Sequence, residues 1–193
     1  PGAVASAAFL SQPRAQLPDV FGVNIAVSPG INDSAQETRE VTESIRAFMT
    51  RGVFPSWFTL NLSCPNTEDD PGANQTSQKA HDLSSAAIAI LRETAPEIGR
   101  EIPLWVKVSP CLSDDQYAAL MQAFQEVGVR AVVATNTLPR PTPDSPNQIA
   151  GVGGGDLRPY SVEAAAALMR EKRSNSYTVD VIGCGGVIDP VGY

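Results

Sequence analysis

Cys64 stands in the stretch 61-NLSCPNT-67, between two asparagines and directly before a proline. A proline biases the residue before it toward extended backbone and away from helix, so Pro65 keeps the thiol in an open loop. A thiol so placed serves as a nucleophile or as a proton-abstracting base; the competing reading is a small buried hydrophobe. A free thiol has a pKa of ~8.5, so a base role at neutral pH needs activation from its surroundings. Asn24, Asn61, Asn66 and Asn136 recur at three strand-like endings, and Thr137 completes the triplet 135-TNT-137. Asparagine at such a position is often only a turn former. Planar amides gathered at one end of a sheet also suit a flat ligand that carries amides of its own. Lys107 closes the apolar run 104-LWVKVSP-110, where its side chain either snorkels outward or stands as a fixed cation at the mouth of the fold.

Two glycine clusters follow, 151-GVGGGD-156 and 183-GCGGV-187. Glycine-rich loops let backbone N–H groups approach a phosphate closely. Neither cluster has dinucleotide-fold spacing or the Lys-Ser/Thr ending of a P-loop, so together they point to a single phosphate. The three cysteines, Cys64, Cys111 and Cys184, are odd in number and irregularly spaced. That pattern suits free thiols in a reducing compartment better than a disulfide framework or a zinc site, and no metal is expected. His81, the one histidine, falls where a helix starts and reads as a solvated helix residue rather than a partner for a thiol.

Such residues need elements to position them. Five short Val/Ile-rich runs, 20–27, 57–63, 103–109, 130–135 and 179–183, read as parallel strands buried on both faces. Helical spacing fills the gaps: 34–52 with a Ser34 cap, 84–95 ending before Pro96, 113–128 from a Ser113 cap to Gly128, and 160–173. Repeated strand–helix units predict a parallel α/β fold, either doubly wound or a (β/α)8 barrel. Distinctive residues at the C-terminal end of every strand favour the barrel, where all strand ends share one mouth. Five units are fewer than a closed barrel needs. A net charge of -7 with no basic run argues against a nucleic-acid partner. No apolar run approaches the ~20 residues that span a bilayer, and the start 1-PGAVASAAFL-10 lacks the charged region of a signal peptide.

The set NLSCPNT, WVKVSP, VVATNT, GVGGGDLRP and VIGCGGV, in this order and spacing, resembles the dihydroorotate dehydrogenase family of FMN-dependent (β/α)8 barrels. The resemblance implies oxidation of dihydroorotate to orotate, with hydride transfer to FMN, in de novo pyrimidine (UMP) biosynthesis. Carried over by position, Cys64 matches the base that takes the C5 proton while a hydride leaves C6; the neighbouring Ser63 is the alternative. Asn61, Asn66, Asn136 and Thr137 match residues that hydrogen-bond the pyrimidine ring and its carboxylate. Asn24, Lys107 and Thr135 match flavin contacts, and Gly153, Gly154, Gly185 and Gly186 match glycines of the phosphate loops.

The soluble class of this family uses cysteine as base and the membrane-associated class serine. Cys64 and GVGG resemble the first and TNT the second, so fumarate, NAD and quinone all stand as acceptors. A cytoplasmic location is expected, with membrane association through a segment outside this sequence as the alternative; a homodimer is one assembly the resemblance allows. The family's first two strands, with a further substrate lysine and an asparagine loop, and its last strand have no counterpart in 1–193. One partial barrel domain is therefore expected, which does not close or hold FMN tightly. Two alternatives stand beside this one: the flavin domain of dihydropyrimidine dehydrogenase, and a catalytically silent barrel acting as a binding or scaffold module.

Overall fold

The computed structural model describes residues 2–12, 16–28, 30–31, 33–62 and 77–188. The chain opens with helix α1 (Ala3–Leu10) and then alternates β1 (Gly22–Ala26), α2 (Ser34–Met49), β2 (Trp57–Asn61), α3 (Ser77–Ile98), β3 (Leu104–Val108), α4 (Asp114–Val127) and β4 (Ala131–Ala134). A hairpin of β5 (Leu138–Thr142) and β6 (Ser145–Val152) and a short 3-10 turn (Gly154–Leu157) intervene before α5 (Arg158–Ser174) and β7 (Asp180–Gly183).

The five predicted strands form one parallel sheet in the order β1-β2-β3-β4-β7. A doubly wound sheet reverses its strand order at a switch point; here the order follows the chain throughout, as in a sector of a barrel. Alternation along each strand separates two faces. Ile25, Phe58, Leu60, Leu104, Val106, Val108 and Val132 are buried on the helix-covered face. Phe48 of α2 meets Phe58 edge-on, with ring centroids 6.0 Å apart. Full burial of a Phe or Leu side chain contributes about 1.5–3 kcal/mol, so this layer holds the sheet to its helices.

The opposite, inner face carries Asn24, Thr59, Asn61, Trp105, Lys107 and Ile182, all exposed or half-buried. The expectation of strands buried on both faces is therefore corrected: among the described residues, helices cover one face of β1 to β3. The apolar runs looked continuous because tryptophan occupies two of the inner positions.

Several element ends also differ from expectation. Asp33, not Ser34, caps α2, accepting from the Gln36 N–H at 2.7 Å. Helix α3 starts seven residues earlier than expected and runs through Pro96. Proline removes one hydrogen bond there, within the last turn, where little helix remains to be lost. Helix α4 matches its signals, with a Ser113–Gln116 capping box and Gly128 left-handed at φ 89°. The hairpin was not expected, because prolines at 139, 141, 143 and 146 argue against strand. A two-stranded ribbon has two free edges, and a missing N–H is tolerated on an edge.

Candidate active site

The inner face ends, at its C-terminal rim, in a set of ladder bonds that continue past the strands. The Leu62 N–H donates to the Lys107 carbonyl at 3.2 Å, and the Asn136 N–H donates to the Val108 carbonyl at 2.8 Å. The Thr135 N–H donates to the Cys184 carbonyl at 2.7 Å, and the Cys184 N–H returns to the Ala134 carbonyl at 2.6 Å. The Thr135 hydroxyl donates to the Asn136 carbonyl at 2.9 Å, and the Ala134–Thr135 peptide is cis. These bonds set where each loop leaves its strand, so the residues at the rim inherit the rigidity of the sheet.

The Asn136 amide donates to the Asn61 amide oxygen at 3.4 Å, although 75 residues separate them. Thr135 and Asn136 are buried, and Thr137 is half-buried at the start of the hairpin. Lys107 stands in register between Asn61 and Val133 on the inner face, half-buried, so it does not snorkel outward toward the helices. Asn24 shares that face one residue pair deeper, in register with Thr59, and is exposed. Cys64, its neighbour Ser63 and Asn66 lie outside the described residues.

The two glycine clusters, far apart in sequence, meet at the start of α5. Gly186, at φ 71°, packs so closely that a Cβ there would lie 2.4 Å from the Arg158 Cα. At Gly185, φ 110°, a Cβ would lie 2.5 Å from Leu157 Cδ2. The Ser161 hydroxyl, buried in the first turn of α5, lies 2.8 Å from the Gly185 carbonyl and 3.0 Å from the Arg158 carbonyl, donating to one at a time. Gly153 extends into the turn that Gly154 opens at φ 69°. Two glycine-rich loops thus meet at the N-terminus of a 17-residue helix, where the dipole favours an anion. Ser161 escaped the sequence reading; a serine three residues after Arg158 in a helix's first turn was its only signal.

We expect Gly186→Ala to destabilise the chain by about 3 kcal/mol, since the methyl group meets immovable backbone and the left-handed φ adds its own cost. Gly183→Ala, with nothing within 4 Å of its Cβ, serves as the neutral control. Urea midpoints that coincide for the two variants contradict this packing.

The remaining polar candidates belong to the scaffold. His81 lies near the start of α3, half-buried, with Nδ1 3.2 Å from Asp82 Oδ1, as a solvated helix residue would. Burial pushes the Cys111 thiol up, against the opposing pull of the Arg140 charge and the Ser109 side chain. The Tyr117 phenol, raised by burial, donates to the Ser109 carbonyl at 2.8 Å and ties α4 to the end of β3. Trp57 and Trp105 were read only as strand residues, and their pairing was not foreseen.

The sequence model of the dihydroorotate dehydrogenase family matches residues 1–189. The chain belongs to the dihydroorotate dehydrogenase family. A relative from Acidovorax sp. (strain JS42), named dihydroorotate dehydrogenase (quinone), is 33% identical over 82% of this chain and 46% of its own length. The mitochondrial dihydroorotate dehydrogenase (quinone) of Schizosaccharomyces pombe is 26% identical over 97% of the chain and 40% of its own. The ligand-free dihydroorotate dehydrogenase of Eimeria tenella superposes with a TM-score of 0.76 at 20% identity, covering 98% of this chain and 55% of that one. The chain thus spans about half the length of the relatives it matches, and its open sheet corresponds to part of the family's barrel.

Proposed function

We propose that this chain carries the central part of a dihydroorotate-oxidising site. One observation supports this most: the Asn61–Asn136 amide pair sits beside Lys107 at the ends of three consecutive strands, in a chain of this family. Cys64 takes the proton from C5 of dihydroorotate as a hydride leaves C6. Asn61, Asn66, Asn136 and Thr137 hold the flat ring and its carboxylate, because amide edges match the ring's own donors and acceptors. FMN, when bound, would supply the two-electron acceptor for that hydride.

The residues present fit this group. Lys107, in register with Asn61 and Val133, would offer a cation to a reduced flavin ring, with Asn24 one layer deeper on the same face and Thr135 buried at the rim. The Gly153–Gly154 and Gly185–Gly186 loops at the start of α5 supply N–H groups for a phosphate. For reoxidation we favour quinone over fumarate or NAD, since the named relatives are quinone enzymes. The step then takes place at a membrane surface; among the described residues no helix is long and apolar enough to cross one.

Titrating FMN into the full chain is expected to quench the flavin's own fluorescence saturably but only at high flavin concentration, because the open sheet supplies part of the site's walls. Free-flavin emission throughout the titration points instead to a silent barrel. Bleaching by NADPH, with uracil as acceptor, points to the dihydropyrimidine dehydrogenase reaction.

A further inference from the structure

The only two tryptophans of the chain, Trp57 and Trp105, lie on adjacent strands of the inner face. Their rings stack with centroids 4.2 Å apart and planes 15° from parallel. The Trp57 indole also fills the place a side chain would take on β1: a Cβ at Gly22 would fall 2.3 Å from its Cε2. β1, β2 and β3 are thus bridged on the inner face by two indoles fitted around a glycine. Trp105 precedes Lys107 by two residues on β3, so the two side chains share one face, with the indole one layer deeper than the lysine.

We propose that Trp57 and Trp105 form a positioning floor that closes the space beneath Lys107 and sends its ammonium toward the rim where Asn61 and Asn136 meet. A lysine stem is flexible, and an open space below would offer it a second set of rotamers. Stacked aromatic rings are a stiff wall, held by more than their buried area alone. Asn61 and Val133 flank Lys107 in register, so with the floor in place the deep direction along the inner face is closed to the stem. What the cation does there rests on the function proposed above; where it stands does not.

The test is trace acetylation of the full chain without flavin, each lysine followed by peptide mass spectrometry. The chain has three lysines, and two are internal references: Lys79 pairs with Glu37, and Lys172 donates to Asp180 at 3.0 Å and to the Val179 carbonyl at 2.8 Å. Trp105→Ala opens a second direction for the stem, and Lys107 labelling relative to Lys172 is expected to fall about two- to threefold. Trp105→Phe, which keeps a flat ring, restores the parent ratio, and the Lys79 to Lys172 ratio stays constant in all variants. Should Trp105→Ala not fold, Trp57→Leu removes the ring that holds Trp105 and shifts Lys107 labelling in the same direction. An unchanged Lys107 ratio, or all three lysines shifting together, overturns the floor. A selective Lys107 shift in a chain that takes up no FMN keeps the floor and rejects the proposed function.

Discussion

Replacing Cys64 by alanine is expected to lower the rate at which dihydroorotate reduces bound FMN by about 10²–10⁴-fold, the usual worth of a positioned general base, if Cys64 is the base proposed. In the proposed reaction loss of the C5 proton accompanies loss of the C6 hydride, so a missing base would slow the reduction step. Flavin and orotate binding are expected to stay near parent values, because the proposed contacts for those groups are the asparagines, Lys107 and the glycine loops. The loss therefore falls on the reduction step itself, which stopped-flow mixing without oxygen reads directly. A near-parent rate for Cys64→Ala at raised pH refutes the assignment and passes the base role to Ser63.

The second large effect is on stability. Glu37, in the first turn of α2, is 1% exposed, and its Oε1 lies 2.5 Å from the Lys79 ammonium at the start of α3. Desolvating two charges roughly cancels what their attraction returns, so the pair's net worth is small; removing one partner strands the other in the interior. Lys79→Met is thus expected to cost about 3–5 kcal/mol, toward the lower end because the lysine side chain keeps 23% of its exposure. The double variant Glu37→Met with Lys79→Met is expected to recover most of that loss, since apolar replacement of a buried pair is near neutral or better. Urea unfolding of the two variants decides it. A single-variant loss below about 1 kcal/mol, the scale of a surface ion pair, contradicts the buried pairing. The pair joins the starts of the two helices at the mouth side of the sheet, and α3 is the helix that follows the Cys64 stretch in sequence.

What the sequence made legible was mostly local. Val/Ile runs marked all five parallel strands, and the Ser113–Gln116 box with Gly128 marked both ends of α4. Rim residues were legible by type: Asn61, Asn136 and Lys107 sit where strand ends predict, and the structure adds the hydrogen bond and register that join them. What escaped depends on partners distant in sequence. The hairpin was hidden by prolines that an edge ribbon tolerates. The meeting of the two glycine clusters on α5 depends on how β7 returns beside β4. Glu37 read as one more helical acid, since nothing in 34-SAQETRE-40 tells that its position is covered by α3. Cys64 and Asn66 lie outside the described residues, so their roles rest on the motif NLSCPNT alone.

The most direct test of the proposed site is an anaerobic titration of the FMN-loaded chain with dihydroorotate. On this account the flavin's visible absorbance disappears, orotate forms in proportion to the flavin reduced, and a quinone restores the colour. A flavin that stays oxidised under excess dihydroorotate, while remaining bound, contradicts it.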